Sequence, residues 1–191
     1  MAKQEFQSVK DAIAREGQTW HASPSFLSNL PEEEGMKYLG YTPGGDELSL
    51  EARERNGVDQ YAAYLSSSPD TSAFAAPAAI DWRNISGQNF VTLVKNQGGC
   101  GSCVAFGAVA AVESKVKILR GASYAIDLSE AHLFYCIARA QGRTCGGSTG
   151  GWWPEPSEIG FRDIGVCDEA CYPYTSGDQN CSNRCADWQN R

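Results

Sequence analysis

All eight cysteines lie between Cys100 and Cys185, and the first 99 residues hold none. No other feature restricts the possible folds of this 191-residue chain as much. It separates a cysteine-free leading part from a trailing part dense enough in cysteine to be stapled by disulfides or by metal. Unless metal accounts for it, such density belongs to an oxidising compartment. Charge divides at nearly the same place. Residues 1–76 carry 6 basic and 12 acidic side chains, net −6, and the remaining 115 carry 10 and 11, net −1. The overall charge of −7 argues against nucleic-acid or anionic-membrane partners, which select clustered Lys and Arg. No apolar run is long enough to span a bilayer. The opening MAKQEFQSVK is polar and contains no signal peptide, so the chain is expected in a secreted or other oxidising setting with its leader outside the sequence given.

The leading part reads as short helices. Phe6, Val9 and Ile13 make an apolar stripe that Gly17 ends, and Pro31 followed by three Glu suits a second helix start. A third helix is expected over 49–65, weakened by Gly57. Residues 66–79, SSSPDTSAFAAPAA, are small, polar and proline-punctuated, as in an accessible linker. Beyond it, FVTLVKNQGG predicts an extended piece entering a glycine turn. The stretch from Cys103 to Arg120 is apolar nearly all round, which predicts a buried central helix. Ser129 caps a further helix, SEAHLFYCIARAQG, and another is expected near 155–164.

Chemistry concentrates in GGCGSCVAFG, residues 98–107. A cysteine at a helix N-terminus meets unpaired backbone N–H groups and the positive end of the helix dipole, a setting that favours the nucleophilic thiolate. Cys103 has that position. Gln97 could offer its amide to a developing oxyanion beside the Cys103 N–H. The Cys100/Cys103 pair also fits a redox couple, but no βαβ pattern precedes it. Zinc could draw on Cys100/Cys103 with Cys167/Cys171 or Cys181/Cys185. The gaps of three residues and the lack of a suitable His weigh against it, so neither metal nor cofactor is expected.

APAAIDWRN and VTLVKNQGGCGSCVAFGAVAAVES, then DLSEAHLFYC, CGG with WWP, and EACYPYTSGDQNC follow one another as in the papain-type cysteine peptidases, which this chain resembles over about residues 77–185. GQTWHASPSFLSNL followed by YLG resembles a short prosegment of the cathepsin B type. The resemblance implies an α+β papain-like fold. A prosegment with linker (1–76) would precede a mainly helical left lobe (77–191), and the right, β-barrel lobe would be absent from this chain. It implies a peptidase acting by thiolate attack through an acyl-enzyme, with Cys103 as nucleophile and Gln97 at the oxyanion. Gly101 and Ser102 would line the site. Glycines in 146–151, chiefly Gly150 and Gly151, would bind extended substrate, with Trp152 or Trp153 near a specificity pocket. Val104 stands where the family usually has Trp. Disulfides Cys100–Cys145 and Cys136–Cys181 follow from the resemblance. Of the remainder, pairing Cys171 with Cys185 closes a loop too poor in apolar residues to hold itself and leaves Cys167 as a buried free thiol. Cys167–Cys171 is the competing pair.

The family's histidine follows its cysteine by roughly 130–150 residues. Only His21 and His132 exist here, the first in the expected prosegment and the second where the family has a surface residue. The partners implied are a peptide or protein substrate, the chain's own prosegment lying over Cys103 through residues 37–40, and a complementary lobe carrying His and Asn. The rival class is a non-catalytic papain-like binding or inhibitory module. Two sequons, Asn84-Ile-Ser86 and Asn180-Cys-Ser182, stand outside all of this.

Overall fold

The structure, a computed structural model, describes residues 3–42, 44–45, 48–67 and 79–191. The leading part holds α1 (Lys3–Arg15), α2 (Glu32–Met36) and α3 (Leu50–Ser67). Phe6 and Ile13 of the α1 stripe are half-buried, and the chain leaves the helix through Gly17 at φ +62°. Pro31 precedes α2, whose first turn is Glu32, Glu33 and Glu34, acidic side chains facing the positive helix end. α3 runs through Gly57 and takes Ser66 and Ser67 from the expected linker; the rest of that linker, 68–78, lies outside the described residues.

The trailing part is built on α4 (Cys103–Arg120), a π-helix (His132–Ala138) and α5 (Pro154–Asp163). The Ser129 Oγ accepts the His132 N–H at 2.9 Å, which caps the helix that contains the π turns. Six of the seven π-helix residues are buried, and α5 packs between this helix and α4. Gly160 is required there, because a Cβ would stand 2.9 Å from Ile137 Cγ2. Three disulfides staple the lobe: Cys100–Cys145, Cys136–Cys181 and Cys171–Cys185. Cys103 and Cys167 are free thiols; Cys167 is 1% exposed, and burial pushes its pKa up.

As expected of a mainly helical left lobe without the β-barrel lobe, β structure among the described residues is limited to isolated bridges. Residues 91–97 pair with no strand among the described residues; side chains hold them instead, with the Thr92 hydroxyl on Glu113 Oε2 (2.6 Å) and Lys95 Nζ on Asp127 (2.6 Å) and Glu130 (2.9 Å). Two features differ from expectation. First, α4 buries only one face. Ala105, Val109 and Glu113 are buried, whereas Leu119 is 70% exposed. Val104, Gly107, Ala108 and Val112 line, with Pro154 and Phe161 of α5, an open apolar groove of about 650 Å³. Secondly, His132 is fully buried rather than on the surface, because the turns carrying Cys167, Arg184 and Trp188 close over it.

Candidate active site

α4 begins at Cys103, and a glycine-rich turn delivers it there. Gly98 takes φ +61°, and a Cβ on it would sit 2.7 Å from Ser176 Cβ. The Gly101 N–H donates to Cys145 O at 2.8 Å, and the Cys100–Cys145 bridge fixes both ends of that contact. Ser102 occupies the cap position, yet its side chain accepts no N–H of the first turn. Its hydroxyl pairs with the Tyr174 phenol at 2.7 Å, and that phenol donates to Gln97 O at 2.9 Å. With the phenolic proton spent on Gln97, Ser102 is the donor to Tyr174. One tyrosine therefore joins the backbone of Gln97 to the residue before Cys103. Tyr174 is held in turn by an edge contact to Phe106 (4.7 Å) and by stacking on Tyr135 (5.6 Å), and burial raises its pKa.

The extended segment that carries Gln97 is anchored at Lys95. Burial alone would lower the pKa of this ammonium, but Asp127 and Glu130 hold it up at about 12, so it stays charged. The Gln97 amide spends both N–H groups: Nε2 donates to Cys100 O at 2.7 Å and to Tyr38 O at 3.0 Å. The second acceptor belongs to the leading part of the chain.

From Tyr38 to Thr42 that leading part runs over the turn before Cys103. A Cβ on Gly40 would lie 2.2 Å from Gly101 O, so the two glycine backbones touch. The Trp152 N–H donates to Gly40 O (2.7 Å), the Thr42 N–H donates to Trp152 O (2.9 Å), and the Thr42 hydroxyl donates to Gly150 O (2.7 Å). Tyr41 and Trp152 form a parallel bridge. Of the glycines in 146–151, Gly150 and Gly151 meet this segment; Gly151 has φ +79°, and a Cβ there would fall 2.5 Å from Gly40 O. Beside the crossing, a pocket of about 720 Å³ is lined by Lys37, Leu39, Thr42, Gly99, Cys145 and Gly147 among others.

Other expected site residues are distributed unevenly. The Trp152 indole is wholly buried and donates to Gln141 Oε1 at 3.0 Å, so only its backbone faces the crossing segment. Trp153 is half-buried beneath the Arg143 guanidinium, 4.5 Å from its ring centre. His132 Nδ1 accepts the Cys167 N–H at 3.1 Å, while Arg184 Nη1 lies 3.2 Å from Nε2. Burial, then the Arg184 charge, lower its pKa to about 4. With Nδ1 accepting from Cys167, the neutral ring carries its proton on Nε2, where Arg184 lies alongside, so both nitrogens are enclosed within the lobe. His21 is exposed in the leading part. Among the described residues no group of three or more His, Cys, Asp or Glu is arranged to hold a metal. The roles of Tyr174 and Thr42 were not legible beforehand. For Tyr174 the available signal was a second aromatic after proline in YPY, next to cysteines that had to fold back on the lobe.

A sequence model of the papain family cysteine proteases matches residues 76–191. Cathepsin K of Gallus gallus is 40% identical over 113 residues, which is 59% of this chain and 30% of that protein. The solved structure of digestive procathepsin L2 from the larval midgut of Tenebrio molitor superposes with a TM-score of 0.63 at 28% identity, covering 97% of this chain and 55% of that one. Procathepsin B S9 from Trypanosoma congolense shares the fold at a TM-score of 0.61 and 17% identity. The chain thus spans under a third of that curated relative and just over half of the first procathepsin.

Proposed function

The chain belongs to the papain family of cysteine proteases, and we propose that it is the zymogen-like N-terminal portion of such a peptidase, secreted or held in another oxidising compartment. In this reading residues 1–76 are prosegment and linker, and 77–191 are the left lobe. Cys103 is the nucleophile. Its thiolate attacks a peptide carbonyl, the Gln97 amide and the Cys103 N–H receive the oxyanion, and the leaving amine departs from a thioester that water later hydrolyses. Gly150 and Gly151 offer backbone to extended substrate.

The observation that carries this reading is the engagement of Gln97. Its side-chain N–H meets a backbone carbonyl of the chain's own leading segment, Tyr38 O, at the start of the helix that Cys103 opens. A substrate carbonyl would need that donor, so the segment holds the place substrate would take. The general acid is the missing component. His132 is buried against Cys167 and Arg184. A complementary lobe bearing His and Asn would supply it, and the apolar groove between α4 and α5 together with exposed Leu93 and Val94 are faces such a lobe would cover.

The test is hydrolysis of a fluorogenic dipeptide substrate by the 191-residue chain, alone and with a polypeptide supplying a papain-type His/Asn lobe. No turnover alone, turnover on complementation, and none from Cys103→Ala in either state are the expected results. Cys103-dependent turnover by the chain alone would overturn the incomplete-site reading. Tight peptide binding without turnover in the complemented state would favour the binding or inhibitory module.

A further inference from the structure

Residues 84–88 form a tight hairpin tip that the peptidase reading does not use. The Ile85 N–H donates to Gln88 O at 2.9 Å, and the Gln88 N–H returns to Ile85 O at 3.0 Å. Two residues, Ser86 and Gly87, make the turn, with φ of +53° and +80°. Positive φ at both central positions is the type I′ geometry, which selects Asn, Asp or Gly. Glycine at 87 meets that demand and serine at 86 does not. Ser86 is the one non-glycine residue with positive φ among the described residues. A residue held where its backbone preference opposes it calls for another reason to be there.

Ser86 is the hydroxyl residue of the sequon Asn84-Ile-Ser86, and Asn84 is presented as an acceptor. It is exposed, its Oδ1 accepts the Gly87 N–H at 3.2 Å, and its Nδ2 makes no hydrogen bond among the described residues. The oxygen is thus folded over the turn, while the amide nitrogen has no partner among the described residues. No cysteine precedes Cys100, so no disulfide competes for this part of the chain. The second sequon also has an exposed Asn whose Oδ1 accepts a backbone N–H, from Ser182 at 3.0 Å, but it is tied into the lobe. Its middle residue, Cys181, is bridged to Cys136, and the Asn180 carbonyl accepts the Tyr172 hydroxyl at 2.9 Å, whereas the Asn84 turn carries neither constraint.

We propose that Asn84 carries an N-linked glycan and that Asn180 does not. Asn84 Nδ2 bonds to the anomeric carbon of the reducing-end sugar of a lipid-pyrophosphate-linked oligosaccharide. The sugar–pyrophosphate bond breaks, the lipid pyrophosphate leaves, and the amide proton passes to a base of the transferase, with no change of oxidation state. This inference rests on the proposed oxidising compartment, since the donor is found on the same route.

The experiment expresses the full 191-residue chain behind a cleavable secretion leader in eukaryotic cells, followed by peptide N-glycosidase treatment in ¹⁸O water and peptide mapping. Wild type and Ser86→Thr should carry one enzyme-sensitive glycan, with the heavy Asp label at position 84. Asn84→Gln and Ser86→Gly should lose it, and Asn180→Gln should keep it. Glycine suits the φ at 86 and removes the exposed hydroxymethyl group, so the unfolding midpoint of Ser86→Gly should not fall below that of deglycosylated wild type. Secreted protein with its three bridges formed and no glycan at 84 overturns the inference while the compartment reading stands. Secreted protein with its cysteines unbridged and position 84 bare overturns both. A glycan that survives Asn84→Gln also overturns the proposed site.

Discussion

Gly40→Ala is the substitution that separates a docked leading segment from one that merely lies nearby. The new Cβ would stand 2.2 Å from Gly101 O and 2.4 Å from Gly101 C. Gly101 has little freedom to yield, since its N–H is bound to Cys145 O and Cys145 is bridged to Cys100. The leading segment must move instead. Lifting it breaks the bonds from Gln97 Nε2 to Tyr38 O, from Trp152 N to Gly40 O, from Thr42 N to Trp152 O and from Thr42 Oγ1 to Gly150 O. At about 1 kcal/mol net for each bond, with some remade to water or in a shifted register, docking should weaken by roughly 2–4 kcal/mol, about 30- to 1,000-fold in its equilibrium constant.

Amide hydrogen exchange reads those bonds directly, because the Thr42 and Trp152 N–H groups are among them. Where exchange follows the open population, both amides should speed up by that factor in Gly40→Ala, with the interior of α4 unchanged. Gly45→Ala serves as the control, since nothing lies within 4 Å of a Cβ built there. Alkylation of Cys103 should accelerate alongside. Unchanged protection at Thr42 and Trp152 in Gly40→Ala would refute the proposed docking and the view of Gln97 as a donor held by it.

Because the folded pKa of His132, about 4, lies below the ordinary 6.5, the unfolded chain binds the extra proton between these values. Stability should therefore drop as pH falls from about 6.5 to 4, by on the order of 3 kcal/mol, and His132→Gln should flatten that slope in urea titrations. Thiol alkylation before non-reducing peptide mapping should label Cys103 and Cys167 only, Cys167 more slowly because it is buried; label at Cys171 or Cys185 would contradict the third bridge. Lys95→Ala removes the cation between Asp127 and the buried Glu130, and calorimetry should show a loss of about 2–3 kcal/mol, with weaker protection at Thr42 if Lys95 positions Gln97.

The extent of α4 was legible because its boundaries are local. A glycine turn precedes Cys103, Gly121 at φ +107° follows Arg120, and the residues between favour helix. The Ser129 cap was legible for the same reason. What escaped depends on surfaces meeting at long range. Burial of His132 requires Arg184 and Trp188 to fold back more than fifty residues later, although Leu133, Phe134 and Tyr135 immediately after it were a hint. The resemblance implies residues 37–40 over Cys103, but not that Tyr38 O is the acceptor for Gln97, because a backbone carbonyl has no sequence signature. Gly40 and Gly151, which allow the close approach, are the marks it leaves in the chain.

The misjudged burial of α4 and the absent general acid meet at one place. A helix apolar nearly all round is expected to be covered all round. Yet the described residues cover one face, leaving the groove beside Val104 open and Leu93 and Val94 at 91% and 100% exposure. Large apolar side chains standing free in water are the pattern of a surface awaiting a partner. Under the proposed function that partner brings the histidine to the same edge at which Cys103 opens the helix. Covering the groove and completing the site would then be a single event, so a lobe that restores turnover should also protect α4 amides on the Val104–Val112 face. Turnover restored without such protection would separate the two and leave the apolar face unexplained.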